Sequence, residues 1–563
     1  MHILRLFTLT LCLMGTCVTL LAQNNGSRTR MMPPRGEMMP PPGGGMGGMM
    51  PMSGNINQFE VNFATEVPQE KDIIIKDKRD SLYSYFVENV KFGKTIKLVF
   101  SHNAVQITGL PDNVHVEKDG AYLSITSDAV EPLAFELSGR TENGSLSFKT
   151  DAPLKLLFNN IVLKSQRGEA ILVEGKSPVY AILAEGSVNE LSDCRNPEMP
   201  PMMMGGFPPM GREPMDREGR EFPEFNGERP EMGAMPDFRP GEMPFPEFGG
   251  EGNPEDYHEQ YGIRMKKPRM KEKIKLDGTF VCAGSMTISG KGCLQVQSNN
   301  KVGIKSKASL MFRPGNLITV RALSGKGVNA KNELYIYGGA LNVDCSSSAD
   351  KALTCGRNMY IKGGHVVVKA GGGETSEGVE SKFLMQIDGG KLEVAAQDDA
   401  INAQGDLVVN GGVVRAFSAT NDAVDSNCNI VINGGEVFAS GTGMPEGGLD
   451  SNDEAGYRLF INGGIVTAIG GRHSMPEKQS RQPSIQWRPN DYTVGKVYSI
   501  SDVCSYHSTR DYQRGGATIL FSSPKLQKGK SYSLCIDGEE AERIESLETP
   551  YSNVGNAGRG FPF

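Results

Sequence analysis

Along much of the chain, apolar residues come in short runs that alternate with polar ones, and the runs end in turns of Gly, Asn or Asp. Alternation of this kind has the period of a half-buried strand, not of a helix. In the clearest stretch, Asp398 to Gly435, one phrase stands twice. Asp-Asp-Ala-Ile-Asn-Ala leads to Leu-Val-Val-Asn-Gly-Gly, and Asn-Asp-Ala-Val-Asp-Ser leads to Ile-Val-Ile-Asn-Gly-Gly. Gly-Gly turns recur at Gly338-Gly339, Gly363-Gly364, Gly389-Gly390, Gly411-Gly412, Gly434-Gly435 and Gly463-Gly464. Their spacing of 22 to 29 residues is filled by short β-rich runs, leaves no room for a helix, and predicts coils of strands that stack on one another. Stacked coils about 4.8 Å apart make a parallel β-helix. The expected fold is all-β, a right-handed parallel β-helix, with Gly and Asn at corners that need positive φ.

Outside the repeats the pattern changes character. Over residues 1–22, His2 and Arg5 precede an apolar run from Leu6 to Leu21, with Ala22 before Gln23, the layout of a signal peptide. An exported protein is therefore expected, of the periplasm, cell surface or exterior. Residues 23–56 are Met, Pro and Gly with almost nothing to bury, which predicts a disordered stem. Strand-like runs over 57–196 predict an N-terminal β region and the first coils. Residues 197–273, again rich in Met, Pro and Glu, predict a disordered insertion leaving one coil corner, at small cost in loop-closure entropy. Repeats occupy 274–490, broken by a polar loop between Gly471 and Pro489, and 491–563 reads as a β-rich cap with a loose tail that blocks edge pairing.

Composition narrows the function. A hydrophobic share of 38% with 69 Gly and 33 Pro suits an elongated solenoid better than a compact α/β enzyme. A formal charge of -7 argues against nucleic acid as partner, and an acidic partner would need a bridging cation. Beyond the leader no stretch is apolar for the ~20 residues of a membrane span. No CxxC or Cys/His ligand spacing occurs, and no histidine is signalled beside a cysteine nucleophile. Cys345, Cys355 and Cys428 read as core or ladder residues, and Cys504 with Cys535, on neighbouring β-like segments, as the pair best placed for a disulfide.

The repeat sorts acid onto one ladder. Just after the apolar residue, successive coils carry Lys305, Asn329, Thr354, Glu380, Asn402, Asp425 and Asp450, and two residues before it the middle coils carry Glu377, Asp399 and Asp422. Carboxylates on adjacent coils can share a hard cation, and oxygen-rich surroundings without histidine favour calcium. The candidate metal ligands are Glu377, Glu380, Asp398, Asp399, Asn402, Asp422, Asp425 and Asp450, with Asp453 as an outer member. The alternative is a solvated acidic edge whose Asp and Asn merely serve turns. The single tryptophan, Trp487, lies outside the repeats, so an aromatic platform for a neutral glycan is not evident, and an anionic polysaccharide completing the cation shell suits the row better.

The phrases DDAINAQGDLVVNGG and NDAVDSNCNIVINGG, the corner after GLDSNDE, and IGGRHSMPEKQSRQPSI followed by ATILFSSPKLQKGKSYSL resemble a secreted bacterial carbohydrate-binding β-helix family related to pectate lyases. The resemblance covers about residues 90 to 545, apart from the insertion. It implies calcium-dependent binding of polygalacturonate or cellulose, with ligands at Asp398, Asp399, Asn402, Asp422, Asp425 and Asp450. Lys305, Lys351 and Thr354 stand where acids would be expected, implying fewer cations. The expected function is a non-catalytic, calcium-dependent carbohydrate-binding protein. One alternative is a polysaccharide lyase using a cationic base such as Lys382 or Arg415, and another is a structural surface protein or adhesin.

Overall fold

A computed structural model describes residues 56–194, 277–512 and 516–555. The expected signal peptide, nearly all of the stem, and the disorder of the insertion and of the last residues fall outside them. The described chain is an all-β solenoid of about 11 turns. No helix among the described residues is long and apolar enough to cross a membrane.

A typical coil holds three strands: Ile401–Ala403, Leu407–Val409 and Val413–Ser418. Each pairs in parallel with its counterpart on the next coil, Val424–Ser426, Ile430–Ile432 and Glu436–Ser440. Inward residues such as Ile401, Leu407 and Val414 are buried and stack into one continuous core. In the first coils the corner between the last two strands is missing. Leu154–Lys164 runs as one strand, pairing with both Val179–Leu183 and Val188–Ser192.

The Asn-Gly-Gly turns divide their labour differently from the expectation. Only the second glycine takes positive φ, as in Gly412 (83°) and Gly435 (82°). A Cβ on Gly412 would stand 2.7 Å from the carbonyl oxygen of Gly390 on the coil below, so the stacked corners admit nothing larger. The asparagine instead joins an amide ladder: Asn433 Nδ2 donates to Asn410 Oδ1 at 2.9 Å, and Asn462 Nδ2 to Asn433 Oδ1 at 2.9 Å.

The register passes undisturbed across the insertion. Val188–Ser192 pairs directly with Cys293–Ser298, and Phe280–Cys282 with Ile171–Val173. Both ends of the solenoid are closed by antiparallel strands. Ala104–Thr108 covers Thr95–Ser101 at the start, and Thr518–Ser522 covers Ile465–Gly470 at the finish. The segment expected as a polar loop after Gly471 is a partial extra coil, bridging Leu459 to Pro476 and donating from Ser474 N to Leu449 O at 3.0 Å. Beyond it a four-stranded sheet packs with Trp487, which is fully buried and donates its indole N–H to Glu542.

Two expectations need correction. Cys504 and Cys535 lie on opposite sides of the strand Val497–Ile500, two strand spacings apart, beyond the reach of a disulfide. Of the cysteines expected in the core or ladder, Cys345 and Cys355 are buried, but Cys428 is half exposed. Secondly, residues 56–92 form no strand. They make a strap running back along the outside of the coils, from Phe59 against Phe417 to Ser84, whose carbonyl accepts from Tyr180. Val61 and Ala64 cover Ala340, Val367 and Ala395. The amide of Asn342 clamps both backbone groups of Ala64 at 2.8 Å. The buried guanidinium of Arg313 is neutralised by Asp72 and Glu88 at 2.6 and 2.9 Å.

Candidate cation site on the aspartate ladder

The first, three-residue strand of each coil has one outward position, and the register places Lys305, Asn329, Thr354, Glu380, Asn402, Asp425 and Asp450 there in a single file. The turn entering that strand turns a second acidic side chain onto the same face, from Glu377, Asp399 and Asp422. These carboxylates are largely buried, at 9%, 6% and 5% exposure, because the neighbouring coil covers each turn.

At the N-terminal end of the row the acids are compensated from within. Lys351 Nζ lies 2.7 Å from Glu377 Oε1 and 2.5 Å from Glu380 Oε1, and Lys382 Nζ reaches Glu380 at 2.5 Å. Burial pushes the Glu380 carboxyl up, but the two lysines outweigh it and hold the group below the usual range. Glu377 stays above its usual value, since burial exceeds what Lys351 alone returns. Farther back, Lys305 and Lys307 share Asp277.

From Asp399 onward that compensation stops. Among the described residues no ion pair reaches Asp399, Asp422 or Asp425. Asp399 accepts from Asn402 Nδ2 at 3.0 Å and Asp422 N at 3.2 Å, and Asp422 accepts from Gly447 N at 2.5 Å. These hydrogen bonds do not offset burial. Burial first, then the neighbouring acids, push Asp399 up to about 8 and Asp425 to about 7. Asp422 is pushed to about 9, by burial first and by Asp450 and Glu446 among its neighbours. Asp450 is raised mainly by burial, although Ser474 Oγ donates to it at 2.9 Å. Asp398 stands aside, half-buried, bonded to Asn421 Nδ2 at 2.7 Å.

Asn402 donates its amide to Asp399 and Asp425, leaving its buried Oδ1 without a partner, as is the buried Oε2 of Glu377. Orphaned acceptors beside uncompensated carboxylates are what an oxygen-seeking cation, or a proton, would satisfy. The donors form an open row, however, and among the described residues no three His, Cys, Asp or Glu side chains are grouped so that they could hold a metal ion by themselves. A calcium ion takes six to eight oxygens, so water or a ligand would complete its shell. Any such ion would be shared between coils, with Asn402 Oδ1 and the aspartates as its protein oxygens.

Neither candidate base stands free beside the uncompensated acids. Lys382 is engaged by Glu380, and Arg415 lies exposed on the six-residue strand of its coil, in a different sheet. His473 was invisible to sequence reasoning. Buried and kept neutral, with its pKa lowered to about 4, it accepts from Gly448 N at 3.0 Å and donates to Thr518 O at 2.9 Å. It thereby holds the turn whose Gly447 N–H binds Asp422. No local spacing signals that role.

A protein-family model described as a carbohydrate-binding domain-containing protein matches residues 119–200 and 265–447. The matched family is a carbohydrate-binding one. The match takes in the coils bearing Glu377 through Asp425, and it supports a carbohydrate-binding role. Among solved structures, the gadolinium derivative of a polysaccharide lyase-like protein from C. thermocellum is similar at 17% identity and a TM-score of 0.30, covering 61% of this chain and 100% of that one. No curated protein matches the chain.

Proposed function

We propose that this protein binds a carboxylate-bearing polysaccharide through calcium ions held on Asp399, Asn402, Asp422, Asp425 and Asp450, without turning it over. The proposal is carried by one observation. Buried Asp399 and Asp422 and half-buried Asp425 stand on successive coils, with no ion pair to any of them among the described residues, around the unpartnered amide oxygen of Asn402. Glu377 and Glu380 are committed to Lys351, so cations are expected on the later coils, with Asp398 at the rim. Calcium, when bound, would add positive charge to the row and bridge it to a sugar carboxylate. Repetition along the coils would multiply weak contacts into firm retention of a polymer. The engaged state of Lys382 and the remote face of Arg415 support binding rather than elimination chemistry.

The test is retention on polygalacturonate and on neutral glycans, with calcium and then with chelator, while absorbance follows unsaturated product. Chelator-sensitive retention without product is expected, with Asp399→Ala and Asp425→Ala losing it. Release of unsaturated product would replace the binder with a lyase. Equal retention in chelator would remove calcium from the mechanism.

A further inference from the structure

Past the last carboxylate of the row lies a cleft of about 290 Å³, near the lower limit for a small-molecule site. Asp453, Arg458, Arg472, Glu477, Lys478 and Tyr551 line it. They come from three separate places: the turn after Leu449–Ser451, the partial coil after Gly471, and the final strand Tyr551–Gly555. All lie beyond residue 447, where the family match ends.

We propose that this cleft is a subsite for a single uronate residue of the bound polysaccharide, with Arg458 and Arg472 taking the sugar carboxylate and Tyr551 the face of the ring. The proposal rests on the function above and deepens it. Each guanidinium holds its acid by a single contact, Arg472 Nη2 to Asp453 at 3.3 Å and Arg458 Nε to Glu477 at 3.2 Å. Both side chains are close to half exposed, at 47% and 41%, where ion pairs hold least firmly. Either can turn to a bidentate contact with an incoming carboxylate, for which its planar fork is suited. Arg458 Nη1 is meanwhile fixed by the carbonyls of Asp453 and Tyr457 at 3.0 and 2.7 Å, which orients its plane.

The cleft also continues the acid row. Ser474, the residue before Met475 of its lining, donates its hydroxyl to Asp450 at 2.9 Å. Along the coils a polyuronate meets bare carboxylates and needs calcium. At this end Arg458, Arg472 and Lys478 stand among Asp453, Glu454 and Glu477, so a sugar carboxylate would take the place of an acid on the guanidiniums, and Tyr551 gives an aromatic wall that Trp487, buried in the cap, does not.

The experiment is calorimetric titration of the full chain with a galacturonate trimer and with a neutral galactose trimer, both in chelator, so that the calcium row takes no part. The uronate trimer is expected to bind and the neutral one not. Arg472→Gln should weaken binding roughly tenfold, and Arg472→Lys, which keeps the charge but not the fork, by an intermediate factor. Tyr551→Ala should weaken it about threefold or more. Unchanged thermal midpoints identify these losses as local. No heat with the uronate trimer, or equal binding of the neutral trimer, overturns the subsite. Calcium-dependent retention of long polymer, measured on the same variants, fails separately if the ladder proposal is the one at fault.

Discussion

Glu380 and Asp425 occupy the same position of one ladder, two coils apart, and are neutralised in opposite ways. Glu380 receives two lysine ammoniums and keeps an ordinary, even depressed, affinity for protons. Asp425 shares its surroundings with Asp399, Asp422 and Asp450 and holds its proton to about 7. The backbone is the same in both places, so the difference lies in whether the preceding coil offers a base such as Lys351. A carboxylate buried without such a partner must take charge from outside, as a proton or a cation. In the proposed mode of binding, the lysines confine cation demand to the later coils.

The largest expected effect breaks the compensated half. Lys351→Met leaves Glu377 and Glu380 buried without their shared ammonium, and since the lysine is a quarter exposed the loss should sit near the low end for a broken buried pair, about 3 kcal/mol in urea unfolding at neutral pH. Calcium should restore part of it. If calcium does nothing for this variant, the two halves are not interchangeable in the way proposed.

Calcium on the wild type comes next. At a hundredfold excess over its dissociation constant, an ion bound only to the folded state adds about 2.7 kcal/mol. The double variant Asp399→Asn, Asp425→Asn should lose that response while being at least as stable as the wild type in chelator near about pH 8, because buried amides need no counter-charge. A calcium response that survives the double variant would move the site elsewhere.

The pH dependence sharpens the comparison further. Asp399, Asp422 and Asp425 hold protons more tightly folded than unfolded. Their contribution is therefore complete below about pH 4 and is lost as pH rises through about 7 to 9 in the metal-free protein. Glu380, with its folded value depressed, contributes with the opposite sign: its stabilisation is present above the ordinary glutamate range and is lost in acid. Thermal midpoints in chelator should accordingly decline from mildly acid to alkaline pH, and calcium should flatten the decline. A flat metal-free profile would mean the aspartates are better solvated than their burial implies. The smallest effect belongs to Asp398→Asn, at the rim, where calcium affinity and stability should stay within about 0.5 kcal/mol of wild type.

What the sequence determined by itself was the solenoid and its ladders. In a stacked coil each residue meets the residue one repeat away, so contacts recur at the spacing of the repeat itself, such as the 23 residues between Asn402 and Asp425. Periodicity therefore carried the register of the acid row and the Gly-Gly corners. Contacts with no period were left to the tertiary structure. Arg313 meets Asp72 and Glu88 across 241 and 225 residues, and Glu70 caps the amides of Gly339 and Gly364 across 269 and 294. No pattern along the chain announces a strap held that way. The same limit applies at the site. Sequence placed the acids in a row, but it was packing that gave Lys351 to Glu377 and Glu380, set His473 behind Asp422, and left Asp399 and Asp425 without a basic partner. Which side chains share a ladder follows from the covalent repeat, whereas the charge each one meets depends on neighbours that only the folded coils bring together.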